Sequence, residues 1–426
     1  MGMNSLPQTV TEHQQIDPCY PTSYFWNQHV LNEAISKPTS TSTLSLRNRS
    51  PLGLSLFAPR PEKAEEIHRT QQGEPPTPPL LDALLREINL RQNQFKGRQT
   101  PWLHWQLPHG LLDNTDATQL MYFIGRQFQL NPNPDNHYKV SFTAEELDPI
   151  RLALFKGLGF NSLEVILQPQ DSVTLELLQL CSVLSEDFHF QHFGLRLQWL
   201  PRQFPATLTA MITDGGRRPD TISFSPMSEL IASDTRGLQA LHQGLGKTGY
   251  SVLGNDHFYV PGGELDKARQ NFQLMHTIEG YNSQNVSNII GLGPGSTSVT
   301  GHIRTVNPTA LGEYASYPFD RYLIDSTDVR IKRVIDHLLK YHQLDLSYFK
   351  RRYGLDLLSA LNDANATSHI ANTSVTESDN LKNNNFSDRN RSALSLYRIS
   401  DQRLTLTQEG ILQLSSLCSR LIRYFQ

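Results

Sequence analysis

Cysteine is scarce: the 426 residues contain three, Cys19, Cys181 and Cys418. Their separations match no metal-binding spacing, and an odd number argues against a disulfide framework, so a reducing, cytoplasmic setting is expected. Long apolar runs are missing too. No stretch approaches the roughly eighteen residues that span a bilayer, and the opening MGMNSLPQTV has no basic region leading into an apolar one. Neither a membrane span nor an export signal is expected. Net charge is the third absence, because 38 basic against 41 acidic side chains leaves −3 and no global field toward nucleic acid or an anionic membrane.

What is present is an ordinary globular composition, 38% hydrophobic and 19% charged, over a length that suits two or three domains. Residues 36–50 and 70–79 are polar or proline-rich and bracket a short candidate strand, Leu52 to Phe57. From Leu80 the sequence LLDALLREINLRQ places Leu80, Leu81, Leu84, Leu85 and Ile88 on one helical face. Strand and helix patterns then alternate: strands at 102–105, 137–142, 162–167, 193–199, 221–226 and 250–253, with helices at 116–128, 145–157, 173–186, 205–214 and 235–247. Single helices between strands require right-handed crossovers, which predicts an α/β fold: a full or partial parallel (β/α) barrel.

Beyond residue 300 the pattern changes. A helix from Val329 to Tyr341, two shorter helical stretches, the strands LSLYRI and RLTL around SDQ, and a final amphipathic helix predict a helical, winged-helix-like C-terminal domain. Residues 363–392, rich in Asn, Ser, Thr and Asp, read as a flexible insertion. The expected division is 1–79 as an N-terminal extension, 80–305 as the barrel and 306–426 as the C-terminal domain.

Residues 249–302 carry GNDHF, a proline and EL ahead of a helix, GY with Gln284 three residues on, and the turn GLGPGSTS. With FKGRQTPWLHW, GLGFNSLEV and WLPRQ upstream and LTLTQEGILQL near the end, the chain resembles the oxygen-independent coproporphyrinogen III oxidases, the HemN-like branch of the radical SAM enzymes. The resemblance implies a radical SAM-type partial barrel. It also implies an iron-sulfur cluster that cleaves S-adenosylmethionine and starts the decarboxylation of two porphyrinogen propionates. That chemistry needs three thiolates in a CxxxCxxC run, because soft sulfur ligands hold three irons and leave the fourth open. Anchored on Pro59, the corresponding positions here are Pro61, Glu65 and His68. Proline has no donor atom, so this set does not hold the cluster.

The positions that the resemblance assigns to S-adenosylmethionine are altered in parallel. The glycine-rich turn after the second strand is Gln106, Leu107 and Pro108; the tyrosine before the cysteine loop is Ser55; the acid of the third strand is Ser141. The arginine after GFN is Ser162, the aspartate before GLP is Leu195 and that glycine is Trp199, while the phenylalanine and glutamine before GY are Ile278 and Glu279. PWLHWQLPHG, residues 101–110, thus reads as the remnant of a cofactor site, with Trp105 and Trp199 expected to fill the vacated cavity. Neither cluster nor S-adenosylmethionine is expected to bind.

The tetrapyrrole side is retained: Asp256, His257, Phe258, Tyr281, Gln284, Gly293 and Gly295. This asymmetry points to a non-catalytic, monomeric relative that binds porphyrin or haem, or a protein partner in haem metabolism. For Asp256 and His257 a structural ion pair is an equal alternative, and GLGPGSTS lacks the lysine of a phosphate loop. No metal site is expected. Glu65 and His68 have Glu-x-x-His spacing but read as a solvated helix face, and His104 with His109, or His189 with His192, lack a third ligand at an informative spacing. Two other readings compete: a coproporphyrinogen-oxidising enzyme with a different cofactor, and a nucleic-acid-binding regulator using Arg330, Lys332, Arg333, Lys350, Arg351 and Arg352. Against the latter, Asp325, Asp328, Asp336, Asp345 and Asp356 interleave with those bases.

Overall fold

The computed structural model describes residues 51–59, 79–95, 98–130, 133, 135–168, 172–198, 204–224, 235–301, 303–316, 321–324, 329–360 and 396–425. Its strands are β1 (Leu52–Phe57), β2 (Trp102–Gln106), β3 (His137–Thr143), β4 (Ser162–Leu167), β5 (His192–Leu197), β6 (Thr221–Phe224), β7 (Ser251–Leu253), β8 (His257–Tyr259), β9 (Met275–Thr277) and β10 (Gly280–Asn282). They continue with β11 (Asn288–Leu292), β12 (Thr297–Thr300), β13 (Ile303–Val306), β14 (Arg321–Ile324), β15 (Gln343–Asp345), β16 (Tyr397–Ser400) and β17 (Arg403–Leu406). The helices are α1 (Leu80–Phe95), α2 (Asn114–Phe128), α3 (Pro149–Gly157), α4 (Leu175–Asp187), α5 (Phe204–Thr213), α6 (Thr235–Lys247), α7 (Glu264–Gln270) and α8 (Leu311–Ser316). In the C-terminal region follow α9 (Val329–Tyr341), α10 (Leu346–Tyr353), α11 (Gln408–Leu412) and α12 (Leu414–Phe425).

Helix starts follow local chemistry. Asp113 caps α2 by accepting the Thr115 and Asp116 amides, Asp148 followed by Pro149 opens α3, and Thr174 caps α4. Strands β11, β1, β2, β3, β4, β5 and β6 run parallel side by side, and β8 and β7 on one edge and β12, β13 and β14 on the other extend the sheet antiparallel. The sheet is strongly concave. Strands β2 and β5 lie three positions apart, about 14 Å in a flat sheet, yet Arg196 of β5 reaches Gln106 of β2 at 3.0 Å. The α/β architecture with its mainly parallel, barrel-like sheet is therefore as expected.

Alternation along the strands sorts side chains between two faces. Leu54, Leu103, Trp105, Val140, Phe142, Val165 and Leu195 point outward into one hydrophobic core with Leu84, Leu120, Phe155, Leu178 and Leu208 of the surrounding helices. His104, Gln106, Lys139, Ser141, Glu164 and Arg196 take the opposite parity and face the concavity. Two expected boundaries shift. Leu52–Phe57 is the strand between β11 and β2, not part of an extension, and β14 pairs with β13, so the sheet continues to Ile324 rather than ending near 305. The expected strand at 250–253 is β7, an edge strand joined to the antiparallel β8 by a turn through Gly254, not another parallel crossover.

The C-terminal region has its own core, built from Val334, Ile335, Leu338, Leu344, Leu404, Leu414 and Leu421. Its β16–β17 hairpin turns through Asp401 and Gln402, both at positive φ, the backbone handedness that suits a two-residue turn. The region is tied to the barrel at the β7–β8 turn. Gly254 donates to the Leu339 carbonyl and accepts from His342, while Arg269 and Tyr281 bond carbonyls of α9. Lys350 pairs with Asp356 on the basic surface, and the buried Lys340 with Asp336. Among the described residues no helix is long and apolar enough to cross a membrane. The 363–392 insertion lies outside the described residues.

Candidate functional site

The concave face holds a buried polar network. Glu164, flanked by Leu163 and Val165 in the buried strand β4, accepts from Arg196 at 2.5 Å, Lys139 at 3.0 Å and Ser141 at 2.7 Å. Burial alone would raise its pKa, but Arg196, Lys139 and His104 outweigh that and hold it well below the usual carboxylate range. His104 continues the chain, its Nε2 2.7 Å from Ser141 Oγ and its Nδ1 2.8 Å from Glu279 Oε2. Burial, with Lys139 close by, pushes the His104 imidazole well below its ordinary value. Gln106 closes the circuit by donating to Glu279 at 3.2 Å and accepting from Arg196 at 3.0 Å. Lys139 and Arg196 balance Glu164 and Glu279 in formal charge. Hence the network is internally compensated, the condition under which ionic groups tolerate burial.

Three positions that the resemblance assigns to S-adenosylmethionine, Gln106, Ser141 and Glu279, are thus built into this network, together with His104. Ser55 also faces the concavity, fully buried and with no hydrogen-bond partner for its hydroxyl. Ser162 lines the open pocket beside the network. Leu107 and Leu195 lie on the outer hydrophobic face, so the sequence expectation that places them at a cofactor surface is corrected by strand parity. Pro108 is buried. Trp105 does not fill the barrel cavity either: it packs edge-on against Phe155 and Phe160, at centroid distances of 5.0 and 6.3 Å, on the helix side. Pro61, Glu65, His68 and Trp199 lie outside the described residues.

Among the described residues no donor set fits an iron-sulfur cluster. Of the three cysteines, Cys181 is buried in α4 against the barrel's outer core and Cys418 in the core of the C-terminal region. Neither is at a strand end facing the concavity, and Cys19 lies outside the described residues. Around the positions assigned to S-adenosylmethionine, Gln106, Ser141, Glu164 and Arg196 spend their polar groups on one another.

The tetrapyrrole-side candidates do not form one constellation. His257 and Tyr281 line the pocket, with ring centroids 5.3 Å apart. Gln284 holds Glu264 by a 2.9 Å bond. Phe258 is core, stacked edge-on against His242. Gly293 and Gly295 sit in a turn braced from α1: the Gly293 amide donates to Glu87, which also binds Arg91, Asn307 and Tyr314. Gly293 has φ +107°, and a Cβ there would lie 2.1 Å from the Phe57 carbonyl oxygen, so its glycine is a packing requirement.

Asp256 is buried in the β7–β8 turn, and burial pushes its carboxyl up to about 7. A raised carboxyl pKa costs no stability below the ordinary aspartate value of 3.8 and a growing amount as pH rises, complete above about 7. Asp256→Asn is therefore expected to stabilise the fold by on the order of 2–4 kcal/mol near about pH 8. Urea denaturation as a function of pH should show that gain shrinking by half or more toward about pH 5.

The open part of the site is a cavity of about 280 Å³ that runs from the network to the N-terminal ends of β3 and β5. There His137 and His192, the first residues of their strands, converge with Glu264 at the start of α7. Burial and the neighbouring His192 and Lys139 hold the His137 imidazole well below its ordinary pKa. His137 and His192, like Lys139 and Arg196, stand in no quoted motif, while Glu264 is the acid of EL and Glu164 lies in GLGFNSLEV. The signal that marks Lys139, Glu164 and Arg196 is a charge at inward parity within a buried strand.

No protein-family model matches the chain. The oxygen-independent coproporphyrinogen III oxidase of Pseudomonas aeruginosa is 23% identical over 321 residues, covering 66% of this chain and 69% of that protein. The Escherichia coli protein of the same name is 25% identical over 266 residues, 55% of this chain and 57% of its own length. In three dimensions the chain superposes on the solved coproporphyrinogen III oxidase (HemN) from Escherichia coli, described as a radical SAM enzyme, with a TM-score of 0.71. That alignment covers 96% of this chain and all of the other at 20% identity. Motifs, sequence relatives and fold agree: the chain is HemN-like, a relative of the oxygen-independent coproporphyrinogen III oxidases with the fold of that radical SAM enzyme.

Proposed function

We propose that this chain is a non-catalytic relative of the oxygen-independent coproporphyrinogen III oxidases that uses its barrel for binding rather than for radical chemistry. The observation that supports this most is the compensated network Glu164–Arg196–Gln106–Glu279–His104–Ser141, built through positions the family resemblance assigns to S-adenosylmethionine. Admitting a sulfonium cosubstrate there would require breaking charge-assisted bonds in a buried setting, each worth roughly 1.5–3 kcal/mol. Equilibrium dialysis with labelled S-adenosylmethionine is expected to show no saturable binding. Stoichiometric binding would remove the basis of the proposal.

The ligand classes that fit the family context are a tetrapyrrole and a protein partner in haem metabolism. The cavity of about 280 Å³ lies at the lower edge of the range for ligand pockets, so a tetrapyrrole enters it by one carboxylate-bearing arm, with the macrocycle outside. Lys139 and Arg196 are engaged by Glu164, so such an arm would meet hydroxyls of Ser162, Thr221 and Ser223 rather than a free cation. Titration with haem and with coproporphyrin, followed by the Soret band, tests the ligand form. A saturable, one-to-one change supports it, and a flat response leaves the partner-binding form alone.

A further inference from the structure

The cluster at the N-terminal end of the barrel carries an inference independent of the non-catalytic reading. His137, His192 and Glu264 offer one ligand atom each, all within 4.8 Å of one another. We propose that these three side chains form a binding site for a divalent cation of borderline hardness, zinc by its donor set. Two imidazoles and a carboxylate are the ligand types of zinc sites that keep a fourth position open.

The carboxylate is already oriented. Ser283 Oγ and Gln284 Nε2, the latter at 2.9 Å, donate to Glu264 Oε1 and turn Oε2 toward the histidines. That oxygen lies 3.1 Å from His192 Nε2 and 4.0 Å from His137 Nδ1. Ligands about 2.0–2.1 Å from a tetrahedral zinc stand about 3.4 Å apart, so the two carboxylate–imidazole separations bracket the value, and the histidine nitrogens, within 4.8 Å of each other, need to draw together by about 1.4 Å at most. Support for the acid by neighbouring hydrogen bonds is the outer-shell arrangement that metal sites use.

The histidines are on rigid elements. They begin β3 and β5, two strands apart, and their rings lean together over Ser162 of β4 with centroids 5.1 Å apart. All three side chains remain reachable from solution, at 21%, 30% and 33% exposure for His137, His192 and Glu264. A cation here would direct its open position into the pocket lined by Lys139, Tyr259 and Asn282. Nothing in the linear spacing announces the set, because 127 residues separate His137 from Glu264 and only the strand register joins them.

The test uses the tag-free full chain, stripped with chelator and titrated with Co²⁺ and with Zn²⁺. One equivalent of Co²⁺ is expected to develop ligand-field bands in the visible, and Zn²⁺ should displace it. His192→Ala and Glu264→Gln should each weaken binding at least tenfold. Gln284→Ala should weaken it about tenfold by releasing the carboxylate, while His109→Ala, an exposed histidine elsewhere, should leave it unchanged. Circular dichroism and thermal melting in chelator establish that each variant is folded. No saturable binding to the parent chain, or binding untouched by both His192→Ala and Glu264→Gln, would overturn the proposal.

Discussion

Glu164→Ala is expected to cost about 3–5 kcal/mol of stability. The carboxylate is the sole anion in direct contact with both Arg196, at 2.5 Å, and Lys139, at 3.0 Å, among the described contacts. Its removal takes from Arg196 and Lys139 the carboxylate they share and leaves the buried network with one positive charge in excess, and the penalty is the desolvation of that charge rather than the strength of the lost bonds. Urea denaturation would read the loss as a fall in midpoint. Because the Glu164 pKa is depressed in the fold, its contribution is present above the ordinary glutamate range and disappears as pH falls through the folded value. The deficit of the variant should accordingly narrow in acid. A companion variant separates the cause: Lys139→Met, Glu164→Leu, Arg196→Met and Glu279→Gln together remove every formal charge of the network, and should recover most of the stability that Glu164→Ala loses. A quadruple variant as unstable as the single one would show that shape, not charge compensation, holds the concavity.

Trp105→Ala is expected to cost about 3–5 kcal/mol, for a different reason. Trp105 is fully buried and packs edge-on against Phe155 and Phe160 between β2 and α3, so truncation opens a cavity in the barrel's outer core. Its indole N–H has no hydrogen-bond partner. Trp105→Phe, which deletes that donor and keeps an aromatic face, should therefore cost under about 1.5 kcal/mol. Neither variant should change binding to the concave face, since Trp105 points away from it.

Trp105 also shows how far the sequence could be read and where it misled. The strand pattern from 102 onward, the flanking helices and the hairpin at 397–406 were visible as periodicity, because apolar residues at spacings of two or of three and four fall on one face by geometry alone. Family motifs then placed the chain among known folds. What they did not supply was parity. Within WLHWQ, residues 102–106, Trp102, His104 and Gln106 share one face while Leu103 and Trp105 share the other, so the tryptophan that looked like a plug for an empty cofactor site belongs to the helix side. The same alternation moves Leu195 outward and brings Arg196 inward.

The network could have been anticipated from that rule. HYKVSFT, SLEVIL and HFGLRL each carry a charged residue at inward parity inside a buried run, and parallel neighbours at that parity must meet. His137, His192 and Glu264 could not, since their meeting depends on strand order and on where α7 begins after the β8 turn. The retained motif residues divide for the same reason. GLGPGSTS persists because Gly293 has no room for a side chain beside Phe57, and GNDHF because its turn seats the C-terminal region, whereas only His257, Tyr281 and, through Glu264, Gln284 border the pocket.

The central claim, that the barrel has the family fold without cluster chemistry, is tested most directly by anaerobic reconstitution of the full chain with iron and sulfide, followed by metal analysis and an assay for S-adenosylmethionine cleavage. The account predicts no iron retained in stoichiometric amount, no sulfide-bridged absorption in the visible and no deoxyadenosine released. A brown protein holding about four irons per chain and cleaving S-adenosylmethionine would contradict it.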